Sequence, residues 1–203
     1  MPTLGDYSEV AICNLALAAI GHGMEITSLD EPSAAARSCK LHYPYARDAT
    51  LRCYDWNFAA RRASLPASAE PPPYGYDAAF QLPADCILVR KVFNTKVWEI
   101  ERRHILANAV APLQIAYTAV IENPREFDAL FADTLATRLA SDLAVRLSDN
   151  LTRAQQLYSL YVAKLAEARG VDSREGSAPH LIRSSWLGSR FERGYVECVD
   201  FEG

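Results

Sequence analysis

Glycine-rich phosphate loops, C-x-x-C pairs and long apolar runs are all missing from this 203-residue chain. The five cysteines, Cys13, Cys39, Cys53, Cys86 and Cys198, are an odd number without a close pair, which argues against a disulfide framework or a zinc ribbon and points to a reducing cytoplasm. The most apolar run, Val10 to Ile20, falls well short of the ~20 residues of a membrane span. Asp6 and Glu9 stand where an export signal would carry bases, so neither an export signal nor a membrane anchor is expected. No charge sign dominates: 21 basic against 25 acidic residues give a formal net charge of −4, so any contact with DNA has to be local. No repeat of solenoid or propeller period occurs. His22, His42, His104 and His180 fall in a loop, an apolar stripe, a basic stretch and a terminal segment, and no serine sits in a nucleophile elbow. The expectation is a protein that is not an enzyme and holds no cofactor or metal.

A hydrophobic fraction of 50% with 23% charged residues suits one globular domain with appendages, and a chain of this length buries roughly 70% of its unfolded surface. Val10 to Ile20 reads as a buried helix closed by Gly21 and Gly23, with Asn14 a core amide bonded to backbone groups in preference to a recognition residue. Asp30 and Pro32 open a second helix with the apolar face Ala35, Cys39, His42, Ala46, Ala49 and Cys53. Pro44 lies on its polar side and should bend it. Cys39 and His42, one turn apart, are half of a metal site at most; both fit the core stripe better. Trp56 and Phe58 read as aromatic anchors, and Arg61-Arg62 as bases complementing a helix C-terminus in preference to meeting phosphate. From Ser64 to Asp77, with Pro66, Pro71, Pro72 and Pro73, the chain is an extended connector.

Beyond the connector the period becomes two. Ile87, Val89 and Lys91 oppose Cys86, Leu88 and Arg90; Trp98 and Ile100 alternate with Glu99 and Glu101; Leu113, Ile115 and Tyr117 alternate with Gln114, Ala116 and Thr118. These are strands of one small antiparallel sheet. Glu99 and Glu101 share a strand face, as an acid pair would, although a solvated strand face has the same pattern. Arg102-Arg103-His104 and Arg90-Lys91 form a local basic patch in the sheet, which keeps a nucleic-acid module as the rival reading.

Asn123-Pro124 then opens a long helix in which Phe127, Phe131, Leu135, Leu139, Leu143 and Leu147 recur every fourth residue. Steps of four wind round a helix of 3.6 residues per turn, so this face is broad and needs neighbours on more than one side. After a break near Asn150, Thr152 and Gln155 have capping-box spacing. Ala154, Tyr158, Tyr161, Leu165 and Ala168 mark a buried face, and Gly170 is placed to end this antiparallel neighbour. The chain from 172 to 203 has no sustained helical period but carries Leu181, Trp186, Leu187, Phe191, Tyr195 and Phe201 between glycines, the pattern of an arm that orders on a partner. The expected class is α+β, predominantly α. Residues 1–63 and 119–171 form a helical bundle, 64–118 a connector and inserted sheet, and 172–203 a C-terminal arm.

Four stretches carry a resemblance. Tyr117 to Phe131, with Leu139-Ala140, Leu143-Ala144 and Leu151-Thr152 after it, resembles the tail tubular protein A family, the head-to-tail adaptors of tailed bacteriophages. Trp56-Asn57-Phe58-Ala59 is similar to the run that ends a helix in that family, Leu82-Pro83-Ala84-Asp85 matches its Leu-Pro-x-Asp, and Trp186 with Arg190 resembles its terminal Trp-x-x-x-Arg. Leu88 departs from the family pattern, which has arginine there. The resemblance implies a structural virion protein made in the host cytoplasm and resident at the head-tail junction. It implies self-association into a ring of twelve, contact with the portal protein and a tail or nozzle protein, and DNA only as passage through the lumen. Trp186, Leu187, Arg190 and Phe191 are then the candidate partner contacts of the arm, and Arg102 and Arg103 candidate ring or DNA contacts.

Overall fold

The computed structural model describes residues 7–175, and its central helix starts later than the sequence suggests. Asn123 caps only a single 3-10 turn, Pro124–Glu126, after which Phe127 returns to extended backbone at φ −72° and ψ 140°. Helix α3, Ala129–Ser148, is opened by Asp128, whose carboxylate accepts from the amides of Leu130 at 2.8 Å and Phe131 at 3.3 Å. An acid here satisfies free amides and offsets the positive end of the helix dipole, which Asn123 is too far away to do. Phe131, Leu135, Leu139 and Leu143 are buried, as are Ala132, Ala136, Ala140 and Ala144, so the broad apolar face is real. It is shared among three other helices: α1, Glu9–Ala19; α2, Ala34–Arg52; and α4, Leu151–Asp172.

In α1 the one strongly polar inner residue is satisfied as a core amide should be. Asn14 donates to the carbonyl of Ile26 and accepts from its amide, both at 2.9 Å, which fixes the loop that follows the helix. Leu15 is exposed, so α1 is not buried all round. Helix α2 is capped by Ser33, not Asp30, which instead pairs with Lys40 at 2.6 Å. Its buried face is Ala35, Ala36, Cys39, Tyr43, Ala46, Thr50 and Leu51, whereas Ala49 and Cys53 are exposed and His42 is half-buried. The face is rotated from the expected stripe toward Tyr43, whose ring has more apolar area to bury than the imidazole of His42. Pro44 is exposed, on the polar side where the sequence puts it.

Asp149, at φ 46°, turns the chain directly from α3 into α4. Asn150 caps α4 by accepting from the Arg153 amide at 2.8 Å, so the Thr152-Gln155 capping box is not used. Ala154, Leu157, Tyr161 and Ala168 are buried, but Tyr158 is exposed and Leu165 half-buried. Gly170 does not end the helix; it runs on to Asp172.

The strands form two three-stranded antiparallel sheets, not one. The first, in the order β1-β6-β3, joins Ala60–Leu65, Leu113–Ala119 and Cys86–Val92; the second, β2-β5-β4, joins Ala78–Gln81, His104–Ala107 and Trp98–Glu101. Arg61 and Arg62 therefore lie in strand β1, not at a helix end. The alternation expected for β3 fails because register shifts after Cys86 and after Val89 each insert a residue. Cys86, Val89 and Val92 share the buried side at intervals of three, and Arg52 of α2 donates to the Ile87 carbonyl that the first bulge leaves unpaired, at 2.6 Å. Phe80, Ile105 and Ala107 of the second sheet join Leu113, Ile115 and Tyr117 of the first in one continuous core with the helices.

Candidate interaction surfaces

The quoted sequence motifs converge on the seam between helices and sheets. Trp56 is fully buried, with its ring centroid 5.1 Å from Phe131, and Phe58 lies 4.9 Å from Phe131 and 6.0 Å from Phe127. The Trp56 indole N–H donates to the Thr50 carbonyl at 3.0 Å, so this anchor has no unsatisfied polar atom. Asp85 accepts from the Tyr117 hydroxyl at 3.2 Å, and its carbonyl takes the Val120 amide at 2.7 Å, which holds the β3 entry against the β6 exit. Leu88 is half-buried and apolar; the polar contact across this sheet comes from Arg90, in the second bulge of β3. Its guanidinium donates to Thr118 Oγ1 at 2.8 Å and to the Trp56 carbonyl, and faces Asp55 at 3.5 Å. Burial works against its charge and lowers its pKa.

The last residue of α4 closes the same seam. Asp172, only 7% exposed, accepts from the Asn57 amide at 3.0 Å, while the Asn57 side chain donates to the Asp172 carbonyl at 2.6 Å. Burial raises the Asp172 carboxyl above its ordinary value despite the lowering effect of the Asn57 amide and of Arg90. Residue 172 is therefore not the start of an arm but a fastened helix end, from which the remaining chain departs. Trp186, Leu187, Arg190 and Phe191 lie outside the described residues.

Arg102 and Arg103 form the two-residue turn of the β4-β5 hairpin, where Glu101 pairs with His104. They differ in role. Arg102 is exposed and held at φ 54°, a conformation that favours glycine. Arg103 donates to the carbonyls of Pro83 and Ala84, and its own carbonyl accepts the Leu82 amide at 2.9 Å, so it clamps the turn between β2 and β3. The basic patch read along the sequence is thus divided, with Arg90 and Arg103 committed to internal contacts. Glu99 and Glu101 both lie exposed on one face of the second sheet, with Gln81 and His104 beside Glu101.

A second surface is apolar. The outer flank of α4 exposes Leu151, Tyr158 and Val162, with Val145 of α3 across the groove from Tyr158. Arg138 lies over the rings of Tyr158 and Tyr161 at 5.3 and 5.5 Å. Sequence periodicity missed this flank because it assigned Tyr158 to the core with Tyr161: at a spacing of three the two lie on the same side of the helix, and Tyr158 sits at the edge of the buried stripe with its ring 5.7 Å from that of Tyr161.

Cys13 and Cys39 are both buried in the core, and the neighbouring Cys39 thiol together with burial pushes the Cys13 thiol far above the ordinary range. Among the described residues no three metal-ligating side chains group together. His22 bonds to the Met24 carbonyl through Nδ1 at 3.0 Å, and His42 and His104 lie on different elements. No helix of the described chain is long and apolar enough to cross a membrane. No protein-family model matches the chain, and no curated protein matches it significantly.

Proposed function

We propose that the protein is a structural virion component, a head-to-tail adaptor that self-associates into a ring between the portal protein and a tail or nozzle protein, with the genome passing through its lumen. In this reading the four helices are a bundle, the two sheets an insertion, and the residues after α4 an arm that reaches a partner. It makes and breaks no bonds. The observation that carries the proposal is the convergence of three separate motifs, Trp56 to Ala59, Leu82 to Asp85 and Tyr117 to Phe131, on one seam through the Trp56, Phe58, Phe127 and Phe131 rings and the Asp85–Tyr117 bond. A resemblance scattered along a chain gains weight when its residues support one another in space. The Asn57–Asp172 tie adds a mechanical reason: an arm that transmits load needs a fixed root.

The test is electron microscopy and sedimentation of the chain with its cognate portal, beside a form ending at Glu175. That truncation keeps Asp172 and should melt within a few degrees of the full chain while losing portal binding. Trp186→Ala should reproduce much of the loss, because burying a large apolar side chain contributes roughly 1.5–3 kcal/mol and the ring repeats the contact. Unchanged portal binding by the truncated form would refute the arm's role, and absence of any ring with portal present would refute the adaptor reading.

A further inference from the structure

The outward face of the first sheet carries a constellation that ring formation does not explain. Register places Arg62 of β1, Ala116 of β6 and Lys91 of β3 in one row across the three strands. Ser64 and Gln114 form the next row, extended by Phe93, whose amide donates to the Gln114 carbonyl at 3.0 Å. Arg62, Ser64, Lys91 and Gln114 are exposed, and so is the Phe93 ring at 46%. The Lys91 ammonium lies over one face of that ring, 5.0 Å from its centre, a place that a stacked base would take over as the ammonium turns to the phosphate. Among the described residues neither Arg62 nor Lys91 is ion-paired, and neither row contains an acid. Arg62, Ser64, Gln114 and Phe93 border a groove of about 360 Å³.

Two unpaired cations in an acidic chain mark a local site for an anion. The ring beside them adds a flat apolar platform, and the hydroxyl and amide add groups able to bond the edge of a planar ligand. Phosphate neutralisation, stacking and edge bonding together are what single-stranded nucleic acid requires. A duplex offers the phosphates but keeps its base faces stacked inside, and an acidic peptide has no use for the platform. We propose that this face is a contact surface for single-stranded nucleic acid, with a base stacked on Phe93 and the adjoining phosphates over Arg62 and Lys91. Ser64 and Gln114 bond the edge of that base. The surface does not depend on the adaptor reading and stands or falls separately.

Fluorescence anisotropy of a labelled oligothymidylate with the full chain tests it, beside a duplex of equal length. The single strand should bind more tightly, and log K should fall with log salt at a slope of about −1.4, two phosphates at about −0.7 each. Phe93→Ala should weaken single-strand binding about tenfold or more, within the range of a lost stacked base, and leave duplex binding unchanged. Arg62→Gln and Lys91→Gln should each flatten the slope by about 0.7. Arg102→Glu, on the other sheet, should leave the affinity within about twofold, and circular dichroism melts confirm that each variant is folded. No binding at low salt, equal affinity for duplex with no effect of Phe93→Ala, or competition by polyglutamate as strong as by the oligonucleotide would each overturn the proposal. A Phe93→Tyr form that keeps the affinity would support stacking.

Discussion

Helices α3 and α4 are neighbours of almost equal length, and they owe their stability to different things. Eleven of the twenty residues of α3 are buried, against five of the twenty-two in α4. Helix α3 meets α1, α2 and α4, whereas α4 has its extensive helical contact with α3 alone. The difference lies in the sequence: leucine and phenylalanine every fourth residue, with alanines between, apply apolar surface to several sides of α3, while α4 has one narrow inward stripe. A helix buried from three sides is fixed by its surroundings. One held along a single seam depends on its ends, and α4 has both secured, by Asn150 at the start and by Asp172 bonded to Asn57 at the finish. Among the described residues, Leu151, Tyr158 and Val162 on its remaining surface are exposed.

The sharpest way to break this comparison is to cut a core side chain from α3. Leu139 is fully buried, and Leu139→Ala should destabilise the chain by about 2–5 kcal/mol, read from the urea midpoint, because the surrounding helices cannot collapse into the space. A cost near that of a surface change would mean α3 is not the shared core element.

Much of this contrast was legible beforehand. The wide apolar face of α3, the buried Trp56 and the satisfied Asn14 follow from spacing and from the rule that buried polar groups find partners. What the sequence hid depends on partners distant along the chain. Strand β1 reads Ala-Arg-Arg-Ala-Ser-Leu, with no apolar alternation, and exists because β6 pairs with it along its whole length. The bulges of β3 depend on Arg52 and on the Arg90 site, neither visible as a period. Gly170 looks like a stop, yet the Asp172 tie carries the helix through it. At the candidate surfaces the residue types were readable, but the pairings were not. Arg102 and Arg103 are adjacent and chemically alike, and only the Pro83 and Ala84 carbonyls set them apart. Arg62, Lys91 and Phe93 come together only through strand register.

The far end of α4 supplies an intermediate test. Asp172→Ala removes the acceptor for a part-buried amide and should cost about 1–3 kcal/mol. Its pH dependence has a definite sign. A carboxyl whose folded pKa is raised contributes stability that is complete below its unfolded pKa and is lost as pH rises through the folded value. Asp172→Asn keeps an acceptor without the charge, so near neutral pH it should be at least as stable as the native chain. That advantage should vanish below about pH 4, the ordinary carboxylate range. Urea titrations of both forms across this interval measure it; an advantage that grows toward acid would mean the carboxylate is favoured in the fold, contrary to its burial.

The smallest effect on stability is expected on the outer flank of α4, and there the comparison becomes functional. Val162 is 50% exposed, so Val162→Ser removes only part of the area that folding takes from water at this side chain. The change should fall within about ±0.5 kcal/mol, the range of surface substitutions remote from special features. Val162 nevertheless shares its flank with Leu151 and Tyr158, beside Val145 across the groove, and neighbouring exposed apolar side chains of this kind are what a contact surface presents. If the proposed ring buries this patch against a different surface of the next subunit, a small loss per contact recurs at every interface. Val162→Ser should therefore leave the urea midpoint in place and shift the sedimentation of the protein with its portal toward smaller species. Leu15→Ser, at the exposed site on α1, provides the matched control for a single surface leucine. If both variants assemble as the native chain does, the free flank of α4 is solvated surface, and the contrast between the two helices is one of burial alone.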